Sequence, residues 1–559
     1  MRMRMRFLAL LLCFCLTFST SSCILVGHVT NTMLEMAEDF TTGDGSNEQT
    51  KGPDELNEPL AYTLTDADHT EFSRLLAECE ELVLQGTDVD AIEAALDAME
   101  AQYYHIVTQA QIAYLLYSCD MLDEELSEAQ LYASEMQSDA YGEYITFAQK
   151  VDESESPYRE AFFSDWSEAD IESMRTYTDE MTELSQENDA LLVLYHELDL
   201  SDDEDLAEVE TLYLDFIANN QAQADIMGYA NYYEYASKSL YLRDASAAER
   251  AAFRTYVASY IIPLYNKLAA EFDALYESLS YFEQVRVYNF LFEPYNDQST
   301  DYVFDYVASY PASVRVNMES LFDPSCSLFV DGENAYDGAY TTYLYDDERP
   351  FCYFGPGYQD SMTVAHEMGH YYAGCYNPVS DVPLDLAEVH SQANEYLFLR
   401  YLKDSLAQDI FRAIELYQVI DTCATIILAT LIDDFEEYVY THYVEILENN
   451  TPLDDVMELV CRDYGGFDMI SEQVADMNLY WRYVVLDSPV YYISYALSAT
   501  TALSIYEIAV EDQGAARTVY RALCEDLDVT LSFRETLDEV ALPDPYAQST
   551  FVAIRDCFS

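Results

Sequence analysis

The chain has 559 residues, half of them apolar, so it can bury a large core and is not a disordered protein. Lysine and arginine number 25 against 104 aspartates and glutamates, a formal net charge of -79. Such a surface repels nucleic acid and anionic headgroups, so no nucleic-acid partner is expected; it suits a highly soluble exterior, high salt or cationic partners.

At the N-terminus, Arg2, Arg4 and Arg6 precede an apolar run from Phe7 to Phe18 that is too short to span a bilayer comfortably. The small residues Ser19, Thr20, Ser21 and Ser22 follow, and then Cys23. The segment resembles a bacterial lipoprotein signal. That implies removal of residues 1–22, a lipid on the Cys23 thiol, and an exported protein anchored to the membrane facing outward. Thr20 stands where such signals carry Leu, so ordinary secretion and an uncleaved anchor through Val26 are the alternatives. Residues 23–60 are polar and acidic, with Gly43, Gly45, Gly52, Pro53 and Pro59, and read as a flexible tether. The lipid is the only membrane contact expected.

From residue 61 onward the chain is predicted mainly α, with an N-terminal helical region over 61–200 and a second region over 201–559. Residues 71–99 place Phe72, Leu75, Leu76, Cys79 and Leu82 on one helical face. The windows 125–150, 166–200, 203–225, 245–280, 386–403, 406–449 and 489–511 show similar periodicity. Strand signals concentrate at 337–354, where Tyr and Thr alternate after Gly338, so a small β-sheet is expected just before residue 360. Beyond the signal region, the cysteines Cys79, Cys119, Cys326, Cys352, Cys375, Cys423, Cys461, Cys524 and Cys557 are scattered without a CxxC pair, which excludes a clustered zinc-finger site.

His366-Glu367-Met368-Gly369-His370 is an HExxH motif. On a helix, residues four apart share a face, so both imidazoles can hold one Zn²⁺ with Glu367 beside them as general base. Val364, Met368, Tyr371, Tyr372 and Cys375 form an apolar stripe, and Gly374 with Asn377-Pro378 ends the helix. A catalytic zinc needs a third protein ligand. Glu388 is the candidate, near the start of a second helix over Leu386 to Leu402 that returns antiparallel. Glu395, two turns on, is placed to hydrogen-bond a ligand, and His390 is also close. The bland alternative for any acid in so acidic a chain is a solvated surface position.

At this point the sequence resembles the thimet oligopeptidase and oligoendopeptidase F family of zinc peptidases. Ala224-Asp-Ile-Met-Gly-Tyr-Ala-Asn-Tyr-Tyr-Glu-Tyr235, Tyr241-Leu-Arg-Asp244, Ile262-Pro263-Leu264, Gly338-Ala-Tyr-Thr341, Pro350-Phe351, Asp360 before the metal helix, Glu388-Val-His-Ser-Gln-Ala-Asn-Glu395 and Pro489-Val-Tyr-Tyr-Ile-Ser-Tyr-Ala-Leu497 occur in the family's order over roughly 190–510. The resemblance implies a helical zinc-peptidase shell around a deep channel, one Zn²⁺ per chain held by His366, His370 and Glu388, and Glu367 as base. It makes short peptides the substrates and places Tyr491, Tyr492 and Tyr495 against them; on a helix starting after Pro489, Tyr492 with Tyr495, or Tyr491 with Tyr495, share a face from which to donate to the oxyanion, Tyr492 and Tyr495 being the expected catalytic pair.

The chain also departs from the pattern. Family members carry a His where this chain has Val484, beside Tyr483, and an Asp where it has Ser494; the usual Asn near 352–357 is absent. Two readings therefore compete: an active, lipid-anchored zinc oligopeptidase, and a peptide-binding lipoprotein of the same fold with weak or lost catalysis. A third treats HExxH as accidental in a helical surface protein.

Overall fold

The computed structural model describes residues 60–558 apart from 87, 165, 167, 199, 201–202, 293–296, 379–381, 466–479 and 487. The signal segment, Cys23 and the tether up to residue 59 lie outside the described residues. We label the longer helices in chain order.

The N-terminal region is a set of packed helices: α1 (Asp66–Gln85), α2 (Val89–Tyr117), α3 (Glu124–Glu153) and α4 (Asp179–His196). The stretch 71–99 is two helices rather than one. Gly86 ends α1 in the left-handed conformation (φ 62°) with its N–H on Leu82 O, and Asp88 restarts the chain by capping Ala91 N. The apolar face continues across the break because Phe72, Leu76, Ile92, Leu96 and Met99 are all buried. Next come α5 (Asp203–Ile226) and α6 (Ile262–Ser278). A π-helical turn at Val257–Ile261 joins the helix Ala247–Tyr256 to α6 without a break, and Pro263, which has no N–H to donate, stands directly after that turn.

The small sheet lies where the Tyr/Thr alternation put it, with one strand more. Strands β1 (Ser327–Phe329), β2 (Ala339–Leu344) and β3 (Arg349–Phe354) have the order β1-β3-β2, β1 parallel and β2 antiparallel to β3. At three residues, β1 is too short to show a period in sequence. Helix α2 grips the β2 side: Tyr336 N and Tyr353 Oη both donate to Ser118 O, and Thr342 Oγ1 donates to Gln111 Oε1.

The functional elements follow: α7 (Ser361–Gly374), α8 (Leu384–Leu402), α9 (Gln408–Thr441), α10 (Ile493–Glu511) and α11 (Gln513–Glu525). Helices α9 and α10 are long and apolar enough to cross a membrane, but both are mostly buried inside the fold and form its core. In α10 the hydroxyls of Ser498, Thr500, Thr501 and Ser504 each donate to the carbonyl four residues back. Small polar residues can therefore line a buried helix without orphaned donors, and α8 packs closely between α7 and α10. The expected start of this helix at Pro489 is corrected: it begins at Ile493, after a turn. All nine described cysteines are free thiols.

Candidate metal centre

Helix α7 starts where a local signal says it should. The Asp360 carboxylate accepts from Met362 N, Thr363 N and Thr363 Oγ1, satisfying donors that the first turn leaves open. One turn on, His366 and His370 present their imidazoles on one face, ring centroids 5.1 Å apart. Helix α8 lies against that face. Gly369 makes the approach possible, because a Cβ there would stand 2.3 Å from His390 O and 2.6 Å from Ser391 Cα. Asn394 Nδ2 fastens the pair by donating to Ala365 O at 2.6 Å.

Across this contact, Glu388 Oε2 lies 3.5 Å from His366 Nε2 and 3.4 Å from His370 Nε2. The ligand atoms of all three residues fall within 4.8 Å of one another. A tetrahedral ion with bonds of about 2.0–2.2 Å sets its ligand atoms roughly 3.3–3.6 Å apart, a spacing that both distances from Glu388 to the imidazoles match. Burial works against the charge of Glu388, but His370 and His366 overcome it and hold the carboxyl well below the usual carboxylate range.

The surroundings orient these groups. His366 Nδ1 lies 2.6 Å from Glu395 Oε1, and the other oxygen of Glu395 accepts from Gln418. Such a bond fixes the ring and leaves Nε2 facing Glu388, where it could serve a metal. Ser391 Oγ donates to Glu388 Oε2 at 3.1 Å. Glu367, 2% exposed, accepts from Thr341 Oγ1 at 2.6 Å, and burial raises its carboxyl above the usual range. That hydroxyl comes from β2, so the small sheet aims the general-base candidate. Nothing in the local pattern of Thr341 announces the contact, although the Gly338–Thr341 segment belongs to the ordered motif set. Gly369 was legible only as a residue inside HExxH.

His390, expected beside the ligands, turns elsewhere. Its Nε2 lies 3.1 Å from Leu523 O on α11, and burial, with His370 nearby, lowers its pKa to about 4. Of the tyrosines, Tyr491 donates its hydroxyl to Glu388 Oε1 at 3.1 Å. Tyr492 Oη is 3.1 Å from Tyr480 Oη. Tyr495 packs its ring against both, 5.3 Å from Tyr491 and 5.4 Å from Tyr492. Val484 is 1% exposed and faces the core.

The arrangement matches solved structures along nearly the whole chain. PZ peptidase A with an inhibitor aligns at a TM-score of 0.72 with 17% identity, covering 89% of this chain and 98% of that one. The chain has the oligoendopeptidase F fold. A Bacillus anthracis str. Ames protein provisionally classed as oligoendopeptidase F aligns at 0.68 with 17% identity over 89% and 95% of the two chains. Oligoendopeptidase-F from Enterococcus faecium aligns at 0.52 with 13% identity over 88% and 96%. No family model and no curated protein matches the sequence. The oligoendopeptidase F fold thus persists here at very low identity.

Behind His366 lies a partly open pocket of about 90 Å³, lined in part by Asp360, Glu395, Tyr417, Gln418 and Asp421. Burial, with Glu395 and Asp360 nearby, pushes the Asp421 carboxyl up to about 7.

Proposed function

We propose that the protein is a zinc-dependent endopeptidase that hydrolyses short peptides. The observation that carries this reading is the convergence of His366, His370 and Glu388 within 4.8 Å, with Glu367 on the same helix turn and its carboxylate held by Thr341. His366, His370 and Glu388 would hold the zinc, which when bound would lower the pKa of a water toward neutrality and polarise the scissile carbonyl. Glu367 takes the proton of the attacking water and delivers it to the leaving amine. Its raised pKa suits both halves of that task, because a carboxyl nearer neutrality holds the proton between the two steps. Tyr492 and Tyr495 donate to the developing oxyanion, each such donor being worth about 3–4 kcal/mol in comparable sites. Phenols suit this position because they are neutral donors and do not compete for the metal.

Size selection follows from burial. With Glu367 2% and His366 8% exposed, only an extended, unfolded chain can bring a peptide bond to them. The similarity of PZ peptidase A, solved with an inhibitor, supports peptides as the ligand class. We further propose that residues 1–22 are removed, that Cys23 carries the lipid, and that the enzyme works outside the cell membrane. The acidic charge of the whole chain supports a body held away from anionic headgroups.

The test is cleavage of internally quenched oligopeptides by the purified protein. Hydrolysis should vanish with a chelator and return with zinc, and Glu367→Gln should lower kcat about 10²–10⁴-fold while keeping the metal. One zinc per chain without any cleavage would instead establish the second reading, a peptide-binding relative. Val484 supports that alternative, since a buried valine stands where the family has a histidine.

A further inference from the structure

We propose that Tyr491 is a positioning residue for the ligand Glu388, and that a buried clamp centred on Arg243 holds it in that place. The proposal rests on the metal reading above. It assigns Tyr491 to the ligand rather than to the substrate.

The two oxygens of Glu388 are divided between different partners. Oε2 faces both imidazoles and accepts from Ser391, while Oε1 accepts the Tyr491 hydroxyl at 3.1 Å. A carboxylate whose second oxygen is occupied by a phenol offers the ion a single oxygen. That keeps a coordination position open, which a catalytic site needs and a structural site does not.

The loop carrying Tyr491 does not hold this shape unaided. Val490, just before it, has φ 61°, a left-handed conformation that is strained for a β-branched residue. Three side chains from distant parts of the sequence hold it there. Arg243 Nη1 donates to Val490 O at 2.7 Å, Val490 N donates to Glu436 Oε1 at 2.7 Å, and Tyr241 Oη donates to Pro489 O at 2.8 Å.

Arg243 is also anchored to the metal-binding helix. Its side chain is 6% exposed and its Nε lies 3.0 and 3.2 Å from the two oxygens of Asp385, itself 4% exposed. Arg243 Nη2 and Ser494 Oγ are 2.6 Å apart, and Ser494 Oγ donates to Asp385 Oδ1 at 2.5 Å. Asp385 and Glu388 are three residues apart on α8 and share a face. One rigid helix thus carries both the ligand and the anchor of the loop that orients it. Only a planar guanidinium with several fixed donors spans a carboxylate, a carbonyl and a hydroxyl together.

The test uses the full-length protein and reads the metal rather than turnover. Zinc affinity is measured by competition with a chromophoric chelator, and coordination by the visible spectrum of the cobalt-substituted protein. Tyr491→Phe should raise the zinc Kd about 10–100-fold, because Glu388 loses the hydrogen bond that orients it, and should weaken the cobalt bands, because the carboxylate can then bind through both oxygens and raise the coordination number. Arg243→Lys should move both readouts in the same direction. Thermal unfolding in chelator identifies any variant that is merely misfolded, and Tyr491→Phe should unfold as wild type does. If wild type binds one zinc and Tyr491→Phe keeps the same Kd and cobalt spectrum, the proposal is wrong while the metal reading survives. If Arg243→Lys alone is silent, the clamp is overturned. A wild-type protein that binds no zinc would sink the metal reading itself.

Discussion

Two pieces of this molecule meet at Glu388 and are built by opposite means. The helix pair α7 and α8 is assembled from short-range rules: an Asp360 cap, a four-residue histidine spacing, and a glycine that admits the neighbouring backbone. The turn at 488–492 follows no periodic rule. It is held by Arg243, Tyr241 and Glu436, whose partners in the turn lie 247, 248 and 54 residues away along the chain. The first piece would be recognisable as a fragment, whereas the second exists only when the rest of the fold is present. The difference teaches that ligand identity can be local while ligand geometry is not.

The comparison can be broken most severely on the loop side. Arg243→Ala should cost about 3–5 kcal/mol of stability, measured by denaturant unfolding, because it leaves the Asp385 carboxylate buried without its cation. A smaller loss would mean that the turn carries its own geometry. On the helix side, Gly369→Ala should cost about 1–3 kcal/mol and also weaken zinc binding, since the added methyl pushes the two ligand-bearing helices apart at His390 O. Unchanged metal affinity would show that the spacing of the helices is less critical than their register.

The smallest effect is expected at Asp421, behind the pair. Its carboxyl pKa is raised in the folded state to about 7, so the folded protein binds a proton more tightly than the unfolded chain does. Its cost to stability is therefore small near pH 4, grows as pH rises from there to 7, and is complete above 7. Asp421→Asn should leave the unfolding midpoint unchanged near pH 4 and raise stability by about 1–2 kcal/mol at pH 8. The effect stays below the full shift because the carboxyl borders a pocket large enough to admit water. A gain that is equal at both pH values would show that Asp421 is ionised throughout.

The helical class, the sheet before residue 360 and the HExxH helix were legible because each depends on periods of 3.6 or 2 residues, or on a cap within one turn. Element boundaries were less so. The split at Gly86 and the late start of α10 at Ile493 interrupt patterns whose apolar face continues across the interruption. The three residues of β1 were too few to carry a period.

Within the site, the sequence by itself determined that His366 and His370 share a helix face and that Glu367 stands beside them, because residue chemistry and helical spacing are properties of the chain, whereas the meeting of Glu388 with both imidazoles depends on how two helices pack. Only the tertiary structure decided that Thr341 aims Glu367, that His390 turns to Leu523 O, and that Tyr491 addresses Glu388. Those assignments depend on hydrogen bonds between residues 26, 133 and 103 positions apart, and no local pattern encodes where such partners meet.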